Sequence, residues 1–237
     1  GGMNILSSGV FNKVKSSAKF RGFETGFRHD GERLDGKVYE IPSIQIGGYK
    51  VNDVIVGEYP PLDEYGIEGI ISLKFFENKP FTIDFKNKKF VIENKKSMSK
   101  IRKRSEATPI LLDVFSDWAI DMYINLIVND SISLKAEFDT GSGFDHIIMN
   151  PQYLQSMGVD TSTAKKNPYT TPISKTHLTD YLVKVNSIKC EGISSGEIKN
   201  RQVTFRQNMI HQALIGSGMF KDKAITIDIP NRKMYVR

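Results

Sequence analysis

The stretch Phe138-Asp139-Thr140-Gly141-Ser142-Gly143 decides how this chain is read. Upstream of it, Ile120, Met122, Ile124, Leu126 and Val128 alternate with mostly polar residues, the period of a strand with one buried face. Asn129-Asp130-Ser131 supplies turn residues, and Ile132, Leu134, Ala136 and Phe138 resume the alternation. The pattern predicts a β-hairpin whose second strand stops at Asp139. A strand that ends in aspartate and enters a glycine-rich loop projects the carboxylate from a rigid edge, because glycine accepts backbone conformations that other residues resist. Thr140 is expected to brace that loop through the backbone, and N–H groups around Gly141 to hold the carboxylate.

Further outward the chain repeats itself. Residues 69–92 align with residues 213–236 at a constant offset of 144, without a gap, and eight of the 24 positions are identical. Thr82, Ile83 and Asp84 recur as Thr226, Ile227 and Asp228, and Asn87 recurs as Asn231. Residues 41–46 match residues 185–190 at the same offset. Two copies of one unit imply two lobes with a pseudo-twofold relation. The lobes are placed at 1–93 and 107–237, joined by a basic linker at 94–106. Each copy ends in a hairpin signal, Thr82 to Ile92 and Thr226 to Val236. Asn150-Pro151 reads as an N-cap followed by proline at the first helical position, with a stop near Gly158. Ser7 or Ser8 is the counterpart in lobe 1.

The Phe138–Gly143 run resembles the active-site signature of pepsin-like and retropepsin-like aspartic proteases. That family pairs the signature with a later hydrophobic-hydrophobic-glycine element beneath the active-site loop, and Leu214-Ile215-Gly216 fits it. The family closes with a phenylalanine, a strand, a turn and a strand, as in Phe220 to Val236. The resemblance covers lobe 2 and, through the repeat, most of lobe 1. It implies a mainly β fold of two tandem acid-protease-like lobes, of closed-barrel type with short helices. It also implies peptide-bond hydrolysis by a water that Asp139 activates, with Thr140, Gly141, Ser142, Leu214, Ile215 and Gly216 supporting the loop. No cofactor is implied, and the partner is a peptide or protein substrate.

This chemistry needs two aspartates, one per lobe or one per subunit, sharing a proton. Lobe 1 carries no Asp-Thr-Gly, and Ile70-Ile71-Ser72 has serine where the family has glycine. Gly1-Gly2 reads as a tag remnant or a cut inside a longer protein. The second aspartate is therefore expected upstream of Gly1, in a two-lobe monomer, or from the mate in a homodimer. The remaining alternative is a catalytically inactive peptide-binding or structural module. The candidate flap is Phe20 to Gly36, punctuated by glycine, whereas Thr161 to Asp180 reads as polar and loop-like.

The bulk properties exclude several other classes. The 237 residues are 39% apolar and 25% charged, an ordinary globular composition. No apolar run approaches the roughly 18 residues that span a bilayer. The single cysteine, Cys190, sits in an alternating apolar run and reads as a buried, inert thiol. Of the net charge of +6, the segment 94–106 holds six cations against Glu106 alone, or +5. Without interleaved aromatic residues it reads as a solvated linker, not a nucleic-acid site. His29, His146, His177 and His211 are scattered, and Asp145-His146 lacks metal-ligand spacing, so no metal is expected. Gly216-Ser217-Gly218 is not a dinucleotide fingerprint. The compartment is left open, with export to the periplasm or outside the cell the favoured expectation.

Overall fold

The computed structural model describes residues 2–143 and 146–237 and is mainly β. Two compact units form: Gly1–Gly26, Arg33–Lys79 and Leu112–Asp121 in the first, Phe27–Glu32, Pro80–Leu111 and Met122–Arg237 in the second. The expected lobe limits follow the repeat, whereas chain contacts place residues 80–111 with the second unit. None of the helices among the described residues is long and apolar enough to cross a membrane.

The predicted hairpin is present. Ala119–Val128 pairs antiparallel with Ile132–Phe138, with Leu126 opposite Leu134 and Val128 opposite Ile132. Asn129 and Asp130 turn the chain with φ of 50° and 59°, a region that short polar side chains tolerate. Met122, Ile124, Leu126, Leu134, Ala136 and Phe138 are buried. The sheet then closes into a ring. From Ile132–Phe138 it passes to Ala213–Ile215, Ile147–Met149, Ile193–Arg206 and His177–Cys190. It returns to the first strand through Leu126 opposite Cys190. Closure leaves those strands no free edge.

Gly192 turns the chain between His177–Cys190 and Ile193–Arg206 at a φ of 73°. A Cβ there would lie 2.7 Å from the Ala107 carbonyl oxygen, so no larger residue fits. Cys190 is buried as expected, and burial pushes its thiol up to about 11.

The two ends of the repeat meet in a second sheet, ordered Lys89–Ile92, Phe81–Asp84, Ala224–Asp228, Lys233–Val236 and Glu106–Pro109. Phe81–Asp84 pairs antiparallel with its own copy, and Thr82 faces Thr226. An antiparallel pair of equivalent strands has a local twofold axis at the equivalent residues that face each other. The local dyad therefore passes between these two threonines, whose hydroxyls lie 2.7 Å apart. The dyad is broken one step out. The Glu93 carboxylate accepts from the Thr82 hydroxyl. At the equivalent position, Arg237 Nη1 donates to Thr226 Oγ1 at 3.2 Å. Arginine only donates and a carboxylate only accepts, so this line of four side chains, buried from Thr226 through Thr82 to Glu93, runs in one direction.

The segment expected as a solvated linker contains a helix, Lys95–Arg104. Asn94 Oδ1 accepts from the N–H groups of Lys96 and Ser97, and Ser97 Oγ accepts from Asn94 N–H, a capping box. Met98 and Ile101, three apart and on one face, are buried with Tyr235. Arg102 reaches the buried Asp228 carboxylate at 3.2 Å. A helix held by two apolar residues and one ion pair leaves little trace in hydrophobic periodicity.

The first unit holds a sheet ordered Lys19–Phe27, Arg33–Ile46, Tyr49–Glu58, Ile5–Leu6 and Gly69–Ile70. Ser7 caps the helix Ser8–Val14, its Oγ accepting from Val10 N–H at 3.3 Å. The Asp63 carboxylate takes two more of that helix's free donors, the N–H groups of Ser8 and Gly9. Phe11 anchors the helix, almost fully buried and 4.6 Å from the Tyr39 ring.

Candidate functional site

The strand Ile132–Phe138 runs parallel to Ala213–Ile215, with Phe138 opposite Ile215. That ladder continues one bond further, because Asp139 N–H donates to the Ile215 carbonyl at 3.0 Å. Asp139 is thus held by the sheet even though the strand has ended. Its side chain is half-buried, and Oδ1 accepts from Gly141 N–H at 2.9 Å. The Ser142 N–H and Oγ both donate to the Asp139 carbonyl, at 3.2 and 2.8 Å. The loop therefore folds back over the aspartate. Thr140 is exposed, and the side-chain brace within the loop comes from Ser142.

Leu214 and Ile215 are buried, the former against Ile148 and Met209. Ile147–Met149 packs on the other side of Ala213–Ile215, antiparallel, with Ile148 opposite Leu214. Gly216 then passes directly beneath the Asp139 loop. Its N–H donates to the His146 carbonyl at 2.9 Å. A Cβ built on Gly216 would lie 1.9 Å from the Gly143 carbonyl oxygen, so position 216 accepts only glycine in this geometry. Gly143 has a φ of 96°, the left-handed region that favours glycine. Phe138 and Phe220 meet edge to face at 5.7 Å beneath the site. All seven sequence-predicted residues, Asp139, Thr140, Gly141, Ser142, Leu214, Ile215 and Gly216, come together here. Phe144 and Asp145 lie outside the described residues.

Asn150 caps the turn that follows, its side chain accepting from Gln152 N–H, and Gly158 ends the segment with a φ of 69°. The expected short helix is two successive 3₁₀ turns, Pro151–Tyr153 and Gln155–Met157. The stretch expected to be loop-like is a hairpin instead. Lys165–Thr170 pairs along its whole length with His177–Cys190. Both faces of Lys165–Thr170 are polar and mostly exposed, so no alternation marks it as a strand.

The candidate flap is also two strands, Lys19–Phe27 and Arg33–Ile46, joined by the turn 28–32. A polar cluster fixes that turn within the second unit, and sequence reading missed it. Arg206 binds Asp180 through two bonds, Nε to Oδ1 at 2.8 Å and Nη2 to Oδ2 at 2.6 Å. Its guanidinium lies 3.5 Å from the centre of the Tyr169 ring. The Tyr169 hydroxyl donates to Asp30 Oδ2 at 2.7 Å. Arg206 Nη1 lies 2.9 Å from His29 Nε2. Burial first, and then the adjacent Arg206 charge, lower His29 to about 4. Among the described residues, no group of three or more His, Cys, Asp or Glu is placed to hold a metal ion.

In the first unit, Ile5–Leu6 takes the place of Ile147–Met149. It pairs parallel with Tyr49–Glu58 and antiparallel with Gly69–Ile70. Ser72 stands at the position of Gly216. Both Ser72 and Asn4 are buried, and Asn4 Oδ1 accepts from the Ser72 N–H at 2.9 Å and its hydroxyl at 3.3 Å. Ser72 Oγ also caps the turn Leu73–Phe76, accepting from Lys74 N–H.

No family model matches the chain, and no curated protein matches it. Solved structures do. The structure described as edgp matches with a TM-score of 0.51 at 11% identity, over 100% of this chain and 86% of that one. A retropepsin-like aspartic protease from Rickettsia conorii matches with a TM-score of 0.37 at 21% identity, over 56% of this chain and 92% of its own. Basic 7S globulin from soybean matches with a TM-score of 0.44 at 9% identity, over 90% of this chain and 71% of its own. The fold is mainly β and acid-protease-like, of the double-lobe kind.

Proposed function

We propose that this chain is an aspartic-endopeptidase-like protein in which Asp139 is one half of a catalytic pair. The observation that carries the reading is the pinned aspartate. The Ile215 carbonyl fixes its backbone, Gly141 N–H fixes its carboxylate, and Gly216 supports the loop from below. Such a carboxylate is pre-oriented before any substrate arrives, which is what general acid–base work requires. The second aspartate comes from the chain upstream of Gly1 or from a dimer mate. Two carboxylates a few ångströms apart share one proton. The ionised one takes a proton from water, which attacks the scissile carbonyl carbon. The protonated one donates to the carbonyl oxygen. Collapse of the tetrahedral species breaks the C–N bond, and the leaving nitrogen takes up a proton. The substrate is an extended polypeptide, bound by strand-like pairing.

Asp139→Asn in the full-length protein is expected to abolish cleavage of an unfolded protein between acidic and neutral pH. Cleavage at an unchanged rate would remove Asp139 from the chemistry. A second reading, a peptide-binding or structural module without catalysis, is favoured by the Ser72–Asn4 contact, which replaces the glycine crossing in the first unit. In that case the native protein binds extended peptides without cutting them, and Asp139→Asn leaves their affinity unchanged.

A further inference from the structure

The turn 28–32 is fastened at four points within the second unit, all of them polar. The Glu32 carboxylate accepts from the N–H groups of Ile173 and Ser174, at the tip of the Lys165–Cys190 hairpin. Asp30 accepts from the Tyr169 hydroxyl. The His29 carbonyl accepts from Ile210 N–H at 3.0 Å. The His29 ring lies against Arg206. Asp30 and Glu32 are buried, and so is Asp180, which holds Arg206 in place.

The His29–Arg206 contact tolerates only one protonation state. A guanidinium has no lone pair to offer, so Arg206 donates and His29 Nε2 accepts. The imidazole is therefore neutral, with its proton on Nδ1. A proton added at Nε2 would point at a cation 2.9 Å away that Asp180 and the Tyr169 ring prevent from turning aside. We infer that the turn 28–32 is an acid-released latch: protonation of His29 breaks its bond to Arg206 and frees residues 28–32 from the Lys165–Cys190 hairpin.

The surrounding charges agree with that direction. Burial, Arg206, Arg28 and His146 all oppose the imidazolium, and only Asp30 favours it. Tyr169 and Asp180 act through their contacts with Asp30 and Arg206. A freed His29 regains its ordinary value of 6.5, against about 4 when latched. Between these values the released form binds the extra proton. The latch is therefore at full strength above pH 6.5 and weakens as pH falls toward 4. The limit is 10 to the power 6.5 minus 4, or about 300-fold. Burial pushes Asp30 and Glu32 up. The Tyr169 hydroxyl and Glu32 N–H outweigh it at Asp30, and donors from Ser174 and Ile173 outweigh it at Glu32, so both are lowered on balance. Their contributions are lost in acid too, from the ordinary values of 4.5 for Glu32 and 3.8 for Asp30 downward, at and beyond the acid end of the histidine window. The latch goes beyond the proposed catalytic role and does not depend on it, since its readout needs no activity.

Amide exchange decides it. In the full chain, protection of the Ile173, Ser174 and Ile210 amides is measured from pH 7.5 to 4.5, corrected for intrinsic exchange. The amides of Ala224–Asp228 serve as internal reference. The expected result is a progressive loss of protection at the three latch amides below pH 6.5, reaching about 80-fold at pH 4.5, with the reference unchanged. His29→Gln offers a side-chain oxygen that accepts but does not titrate, and it should flatten the profile over the same range. An equal loss in His29→Gln, or a flat wild-type profile, overturns the latch. Should that variant fail to fold, the wild-type His29 ring resonances decide. Protonation that tracks the loss of protection supports the latch, and an ordinary midpoint with protection unaltered refutes it.

Discussion

The same crossing is built twice in this chain, at Gly216 and at Ser72, and with opposite tolerances. In both places a short strand, Ala213–Ile215 or Gly69–Ile70, ends just before this position, which caps a 3₁₀ turn carrying the repeat's phenylalanine, Phe220 or Phe76. At Gly216 the loop carrying Asp139 presses down until a carbonyl oxygen occupies the space of a side chain. At Ser72 a serine fits, and its hydroxyl caps the next turn and meets Asn4. Glycine in the motif therefore reports a close approach from above.

Substitution at the crossing should break that contrast most sharply. Gly216→Ala should cost about 3 kcal/mol or more, since overpacking against backbone cannot be relieved by a rotamer change, and the expected readout is the midpoint of chemical denaturation. Ser72→Ala at the equivalent site keeps the backbone donor to Asn4 and should cost only about 1 kcal/mol, the worth of a cap. Equal losses at the two sites would show that the repeats differ less than their contacts suggest.

The shared sheet extends the comparison to the dyad. Thr82→Val leaves the buried Glu93 carboxylate without its donor and should cost roughly 2 kcal/mol or more, as expected for a buried charged partner. Thr226→Val cuts the same hydroxyl–hydroxyl bond but leaves Glu93 its donor and otherwise removes only an acceptor of the exposed Arg237, so it should cost less, about 1 kcal/mol. The two denaturation curves, measured side by side, test whether the line of hydroxyls has the direction assigned to it. The smallest contrast concerns which group accepts. Asn4→Ala strips the Ser72 N–H of its acceptor and should exceed Ser72→Ala by about 1 kcal/mol in the same assay.

Much of this architecture was legible because it is local. The Ile120–Phe138 hairpin declared itself through period-2 alternation and a turn of Asn and Asp that both take positive φ. Ser7 and Asn150 announced their caps because capping is a contact across three residues or fewer. The helix Lys95–Arg104 escaped because its buried face is only Met98 and Ile101. The hairpin at Lys165 escaped because neither of its faces is apolar. The polar cluster escaped for another reason. His29 and Arg206 are 177 positions apart, and nothing near either residue signals the other.

The sequence by itself determined the catalytic candidate Asp139, the strands that flank it and the 144-residue repeat, since each rests on neighbours in the chain or on identity between copies. Only the tertiary structure decided how closely Gly216 approaches the Gly143 carbonyl, that Thr82 meets Thr226 on a local dyad, and that His29 faces a guanidinium. These are contacts between segments far apart along the chain. Their chemistry depends on distances that composition and periodicity do not encode.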